Sequence, residues 1–149
     1  MKQLLLSSLT LCLLLSCNVE PRPIDYGSDK CEFCKMTIVD PRFGAEVVTE
    51  KGKVFKFDAI ECMVNYIQTT PAQDYAFLLV NDFEQPSILV DAQKCSYLIS
   101  KAVPSPMGAY LSAYQNVGSA VSMQEDKGGQ TYDWHALQEY FQTEIGMVD

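Results

Sequence analysis

From residue 35 onward the chain alternates short apolar runs with turn-forming polar clusters. Met36-Thr37-Ile38-Val39 predicts a strand, halted by Asp40-Pro41, and Ala45 to Thr49 predicts a second. Glu50-Lys51-Gly52-Lys53 predicts a hairpin turn, because glycine reaches positive φ without a Cβ clash. Val54 to Phe57 then reads as the return strand, with both aromatics on one face. Asp58 is a candidate N-cap. Ile60, Met63, Val64 and Ile67 recur at helical spacing as far as Gln68, and Tyr75 to Val80 is an apolar run of the length of a buried strand.

The second half repeats that order less regularly. Cys95 to Ser100 predicts a strand, residues 101–106 a proline-rich loop, and Met107 to Tyr114 another strand. Asn116 is placed to cap a helix over Val117 to Glu125, which Gly118 weakens. Residues 126–129 form a turn, Gln130 to Tyr132 a strand, and Asp133 is placed to cap a last helix with Leu137, Tyr140 and Phe141 facing inward. The expected fold is α+β, with two related ββαβ units over about residues 31–90 and 91–149 and a largely antiparallel sheet.

The N-terminus follows another logic. Lys2 and the apolar stretch Leu4 to Leu15 have the charge and length of a secretory signal, too short to span a bilayer as a mature helix. Leu14-Leu15-Ser16-Cys17 resembles the lipobox of bacterial lipoproteins. That resemblance makes residues 1–16 a signal peptide and Cys17 the acylated first residue, carrying a chain such as palmitate. The protein would then be anchored to the cell membrane or outer membrane, facing the periplasm or the cell exterior. Residues 17–30, with two prolines and a glycine among mixed charges, read as a flexible tether.

Charge and composition then narrow the chemistry. Loss of Lys2 leaves 10 of the 11 basic side chains against 19 acidic ones. Such a balance offers nothing with which to track nucleic acid. The only histidine is His135, too little for an imidazole-rich zinc enzyme. Outside the cytoplasm free thiols tend to pair. The remaining cysteines, Cys31, Cys34, Cys62 and Cys95, are even in number, so two structural disulfides are one option. A Cys31–Cys34 bridge would close too small a loop to stabilise much.

The densest chemistry is Cys31-Glu32-Phe33-Cys34-Lys35-Met36. Two thiols and a thioether make a soft ligand set, which favours Cu(I) over harder ions. Thiol–disulfide exchange by Cys31 and Cys34 is the alternative, but it would want the pair at a helix N-terminus rather than before a strand. A zinc ribbon would want a second Cys-x-x-Cys, and none exists. Met107, between Pro106 and Gly108, is a further candidate ligand on a rigid turn. Cys62 falls near the apolar helix stripe and reads as a buried thiol, as does Cys95.

Taken in order, the lipobox, Cys31-x-x-Cys34-x-Met36, residues 40–46 (DPRFGAE), Phe57-Asp58, Pro106-Met107-Gly108 with Ala113-Tyr114, and Lys127-Gly128-Gly129 resemble the NosL family over residues 17 to 142. The resemblance implies a copper chaperone without catalytic activity. It would supply Cu(I) to an extracytoplasmic copper enzyme, nitrous oxide reductase or another, together with that enzyme's assembly factors. It also implies two ββαβ units, and it puts the family's ligands on Cys34, Met36 and Met107, with Cys31 as a fourth. Family members often carry glycine where this chain has Lys35.

Overall fold

The computed structural model describes residues 19–71 and 73–145. The signal peptide expected over residues 1–16 and the candidate lipidation site Cys17 lie outside them. The first unit comprises β1 (Ala45–Thr49), β2 (Val54–Phe57), α1 (Ile60–Thr69) and β3 (Tyr75–Asp82), extended by β4 (Gln85–Asp91). After a short 3-10 turn, Ala92–Lys94, the second unit comprises β5 (Ser96–Ile99), β6 (Leu111–Tyr114), α2 (Val117–Lys127) and β7 (Gln130–Tyr132). Helix α3 (Trp134–Ile145) closes the chain's described part. All strand pairs are antiparallel, in sheets ordered β2-β1-β3-β4 and β6-β5-β7. Each unit therefore sets its first strand between its second and third, and the expected α+β class with paired ββαβ units is what the chain adopts.

Local signals explain much of this. Gly52 turns the β1–β2 hairpin at φ +78°, and its amide donates to Thr49 O at 2.8 Å. Ile60, Met63 and Val64 bury the α1 stripe against the strands of both sheets, in a core that includes Phe57, Tyr97, Leu111 and Leu137. Each such side chain contributes roughly 1.5–3 kcal/mol by leaving water. The two halves thus share one core. Asn116 and Asp133 cap as their positions suggest, accepting from the amides of Gly118 and Ala136 at 2.8 Å each.

Several expectations fail for identifiable reasons. The strand expected over residues 36–39 shrinks to a single bridge, Lys30 to Thr37, because Lys35 turns the chain at φ +63°. The strand expected from Met107 begins only at Leu111, because Gly108 and Tyr110 both adopt positive φ (+81° and +60°). Asp58 does not cap α1: Ala59 holds the N-cap position without a side-chain bond. Asp58 instead accepts from the Val39 amide at 3.4 Å. Strand β4 was not foreseen at all. Pro86 near its start suits an edge strand, which need not donate on its open side.

The expected flexible tether is the largest difference. From Arg22 the chain lies fastened across the face of the first sheet away from α1. The Arg22 amide donates to Glu46 Oε1 at 2.8 Å, and Lys56 Nζ reaches Pro23 O at 2.7 Å and Asp29 at 2.6 Å. Tyr26 donates its hydroxyl to Asn81 at 2.8 Å, and Ile24 is buried. With α1 covering Ala45 and Val47 on one face and the strap covering Glu46 on the other, all five β1 residues are buried. Burial pushes the Glu46 carboxyl above its ordinary range, and its Oε2 has no partner.

Candidate metal centre

The sequence Cys31 to Met36 folds into a tight hydrogen-bonded loop. The Cys31 amide donates to Met36 O at 2.8 Å and the Lys35 amide to Cys31 O at 3.0 Å. The Glu32 amide donates to Lys56 O at 2.8 Å, which fastens the loop to β2. Lys35 occupies the left-handed region, where an L side chain costs about 1–2 kcal/mol and glycine costs nothing. A glycine at this position is therefore the physically easier choice. The lysine side chain itself points to solvent, pairing with Glu32 at 3.3 Å on the surface.

Against this loop packs the first turn of α1, the one place where that helix is buried on every side. Cys62 stands there, hidden from solvent. The sulfurs of Cys31, Cys34 and Cys62 all lie within 4.8 Å of one another. Three sulfurs bound to one ion at about 2.3 Å sit roughly 4 Å apart. Small side-chain adjustments therefore suffice for all three to reach a single ion. No disulfide links them, and Cys95 stands apart as a buried thiol donating to Asp91 O at 3.3 Å.

The triad's electrostatics are uneven. Cys31 is held down to about 5, because the Cys62 thiol donates to its sulfur; burial opposes this, and the amides of Asp58 and Cys34 add to it. The Cys34 amide lies 3.4 Å from that sulfur. The cost falls on the other two: Cys62 is driven far up by donating to Cys31, and burial raises Cys34. The cluster thus favours ionisation at Cys31 over Cys34 and Cys62. Only Cys34 of the three is partly accessible.

Met36 is 54% exposed and Met107 41% exposed, so neither thioether fills the core. Met36 shares the loop of the thiols. Met107 comes from the other half of the chain, on the turn Ser105 to Ala109, and that turn is tied to α1. Glu61, the neighbour of Cys62, accepts from Ser105 Oγ at 2.5 Å and from the Ala109 amide at 3.4 Å. The Met107 amide faces the same carboxyl. Among the described residues, no carboxylate or imidazole joins the three thiols. His135 lies exposed on α3, 3.6 Å from Glu139.

Sequence reasoning points to Cys31, Cys34, Met36 and Met107 as candidate ligands and gives Cys62 only a packing role; of the four, the structure brings Cys31 and Cys34 into the thiol cluster. The signal that could have raised it was its position: a thiol in the first turn of a helix sees that end's positive dipole.

A family model described as NosL matches residues 23–141. Among solved structures, the crystal structure of the copper chaperone NosL from Shewanella denitrificans superposes with a TM-score of 0.68 at 19% identity, covering 79% of this chain and 95% of that one. Among curated proteins, no sequence matches the chain.

Proposed function

The chain belongs to the NosL family, and from that premise we propose that it is a lipid-anchored carrier of Cu(I) with no catalytic activity of its own. The observation that carries this reading is the convergence of Cys31, Cys34 and Cys62 within 4.8 Å. Three soft donors without a fourth hard one suit Cu(I), which accepts low coordination, better than Zn(II), which seeks four ligands. The solved relative's description as a copper chaperone supports the same reading. Met36 and Met107 are the exposed ligands, on the side from which the ion enters and leaves. Transfer proceeds by exchange: a soft ligand on the acceptor, nitrous oxide reductase or another extracytoplasmic copper enzyme with its assembly factors, displaces one sulfur at a time.

The competing reading, thiol–disulfide exchange by Cys31 and Cys34, has one feature in its favour, the lowering of the Cys31 thiol by the Cys62 thiol that donates to it. It has a stronger one against it. An exchange nucleophile needs access, yet Cys31 is completely buried, and the partly accessible Cys34 is the thiol that burial raises.

Titration of the reduced protein against a chromophoric Cu(I) competitor, with Zn(II) in parallel, tests the proposal. Cu(I) is expected to bind more tightly, and tighter Zn(II) would overturn the reading. Met36→Leu and Met107→Leu are each expected to weaken Cu(I) about tenfold, or roughly 1.4 kcal/mol. Thermal stability should hardly change, since both side chains are exposed. Normal affinity in either variant would remove that methionine from the ligand set.

Anchoring at Cys17 rests on the lipobox-like Leu14-Leu15-Ser16 before it. Cys17→Ser is expected to move the protein from the membrane to the soluble extracytoplasmic fraction. A variant that stays with the membrane would exclude that anchor. With the chain fastened to the first sheet from Arg22, only a few residues would separate lipid from domain.

A further inference from the structure

The proposed copper site leaves one buried group unexplained. Glu61 is 3% exposed in the first turn of α1, with its Oε2 unpartnered. An apolar residue there would avoid the cost of burying a carboxyl with half its acceptors unused. What Glu61 contacts is the turn that carries Met107, through the Ser105 hydroxyl and the amides of Met107 and Ala109. Apart from its own closing bond, the Gly108 amide donating to Ser105 O at 3.0 Å, the turn has little to hold it at its tip: Met107 is exposed, and beyond the chain neighbours of Gly108 no atom lies within 4 Å of where its Cβ would stand. Glu61 is also the residue next to Cys62. One side chain therefore links the helix turn bearing a thiol of the first half to the methionine turn of the second.

We propose that Glu61 is a positioning residue, which holds Met107 beside the Cys31–Cys34–Cys62 triad so that its thioether meets the ion already ordered. The inference rests on the triad being the Cu(I) site. A ligand ordered in advance loses less freedom on binding than one recruited from a loose turn. Glutamine keeps the oxygen that accepts these hydrogens, whereas alanine removes it.

Two measurements on the reduced full-length protein judge this separately from the copper reading. Without metal, amide hydrogen exchange at Met107 and Ala109 should quicken at least tenfold in Glu61→Ala and stay near wild type in Glu61→Gln. Unchanged exchange in Glu61→Ala would overturn the proposal whatever the protein binds. With Cu(I), Glu61→Ala should lose about tenfold in affinity, and Glu61→Ala combined with Met107→Leu should be no weaker than Met107→Leu alone. The Met107 methyl resonance should shift on adding Cu(I) to wild type and Glu61→Gln, but not to Glu61→Ala. Additive losses, or a persisting methyl shift in Glu61→Ala, would overturn it. If Glu61→Ala does not fold, Ser105→Ala removes the shortest tie and leaves the carboxyl. It is held to the same exchange and non-additivity criteria. Failure of the wild type to bind Cu(I) would instead defeat the copper reading, with the metal-free exchange still deciding whether Glu61 holds the turn.

Discussion

Cys62→Ser is expected to weaken Cu(I) binding by about 100-fold or more, roughly 2.7 kcal/mol, the largest loss of any single ligand change outside the Cys31–Met36 loop. Serine nearly matches cysteine in volume, and its hydroxyl can still donate to the Cys31 sulfur, so packing and the hydrogen bond that lowers the Cys31 thiol are both largely kept. What is lost is one of three soft donors, replaced by a hard oxygen for which Cu(I) has little preference. X-ray absorption at copper should record one sulfur fewer, with the thermal transition of the metal-free protein close to wild type. Wild-type affinity in Cys62→Ser would remove Cys62 from the ligand set and return the site to Cys31, Cys34 and the two methionines.

Gly129→Ala should be the most damaging change to the fold itself. Gly129 sits at φ +102°, and a Cβ there would lie 2.2 Å from the Ile99 carbonyl oxygen and 2.9 Å from Ser100 Cβ. The obstructing oxygen belongs to the backbone of β5 where it pairs with β7, Ile99 opposite Gln130. Relief therefore requires the two strands to part. Backbone strain of this kind costs about 1–3 kcal/mol before any clash, so a total of about 3 kcal/mol or more is expected. That corresponds to a fall in Tm on the order of 10 °C for a domain of this size. Gly128→Ala is the control. Its φ is +68° and nothing lies within 4 Å of the added Cβ, so about 1 kcal/mol is expected. Equal losses in calorimetry would mean that the close approach to Ile99 is not what requires glycine.

The features legible in the sequence are those decided within a few residues. The Gly52 hairpin, the Ile60–Met63–Val64 stripe, and the Asn116 and Asp133 caps each depend on bonds or faces spanning at most four positions. The proximity of Cys31, Cys34 and Met36 was legible for the same reason. Misreadings arose where a local preference met a distant partner. The prolines and charges of residues 19–30 describe a chain that water solvates well. In the fold those residues find Glu46, Lys56 and Asn81, 24 to 55 positions away, and exchange water for them.

The sequence by itself determined the fold class, the repeated strand–strand–helix–strand order of the two units and a Cys31-x-x-Cys34 thiol pair ahead of the first sheet. Only tertiary structure decided that Cys62 completes a triad and that Glu61 ties Met107 to the same helix turn. A cysteine on an apolar stripe is equally well buried against a leucine or against two other sulfurs. Nothing within one helical turn distinguishes the two. The choice is made by how the N-terminus of α1 packs on the Cys31–Met36 loop and on the second half of the chain, which depends on contacts far apart in sequence.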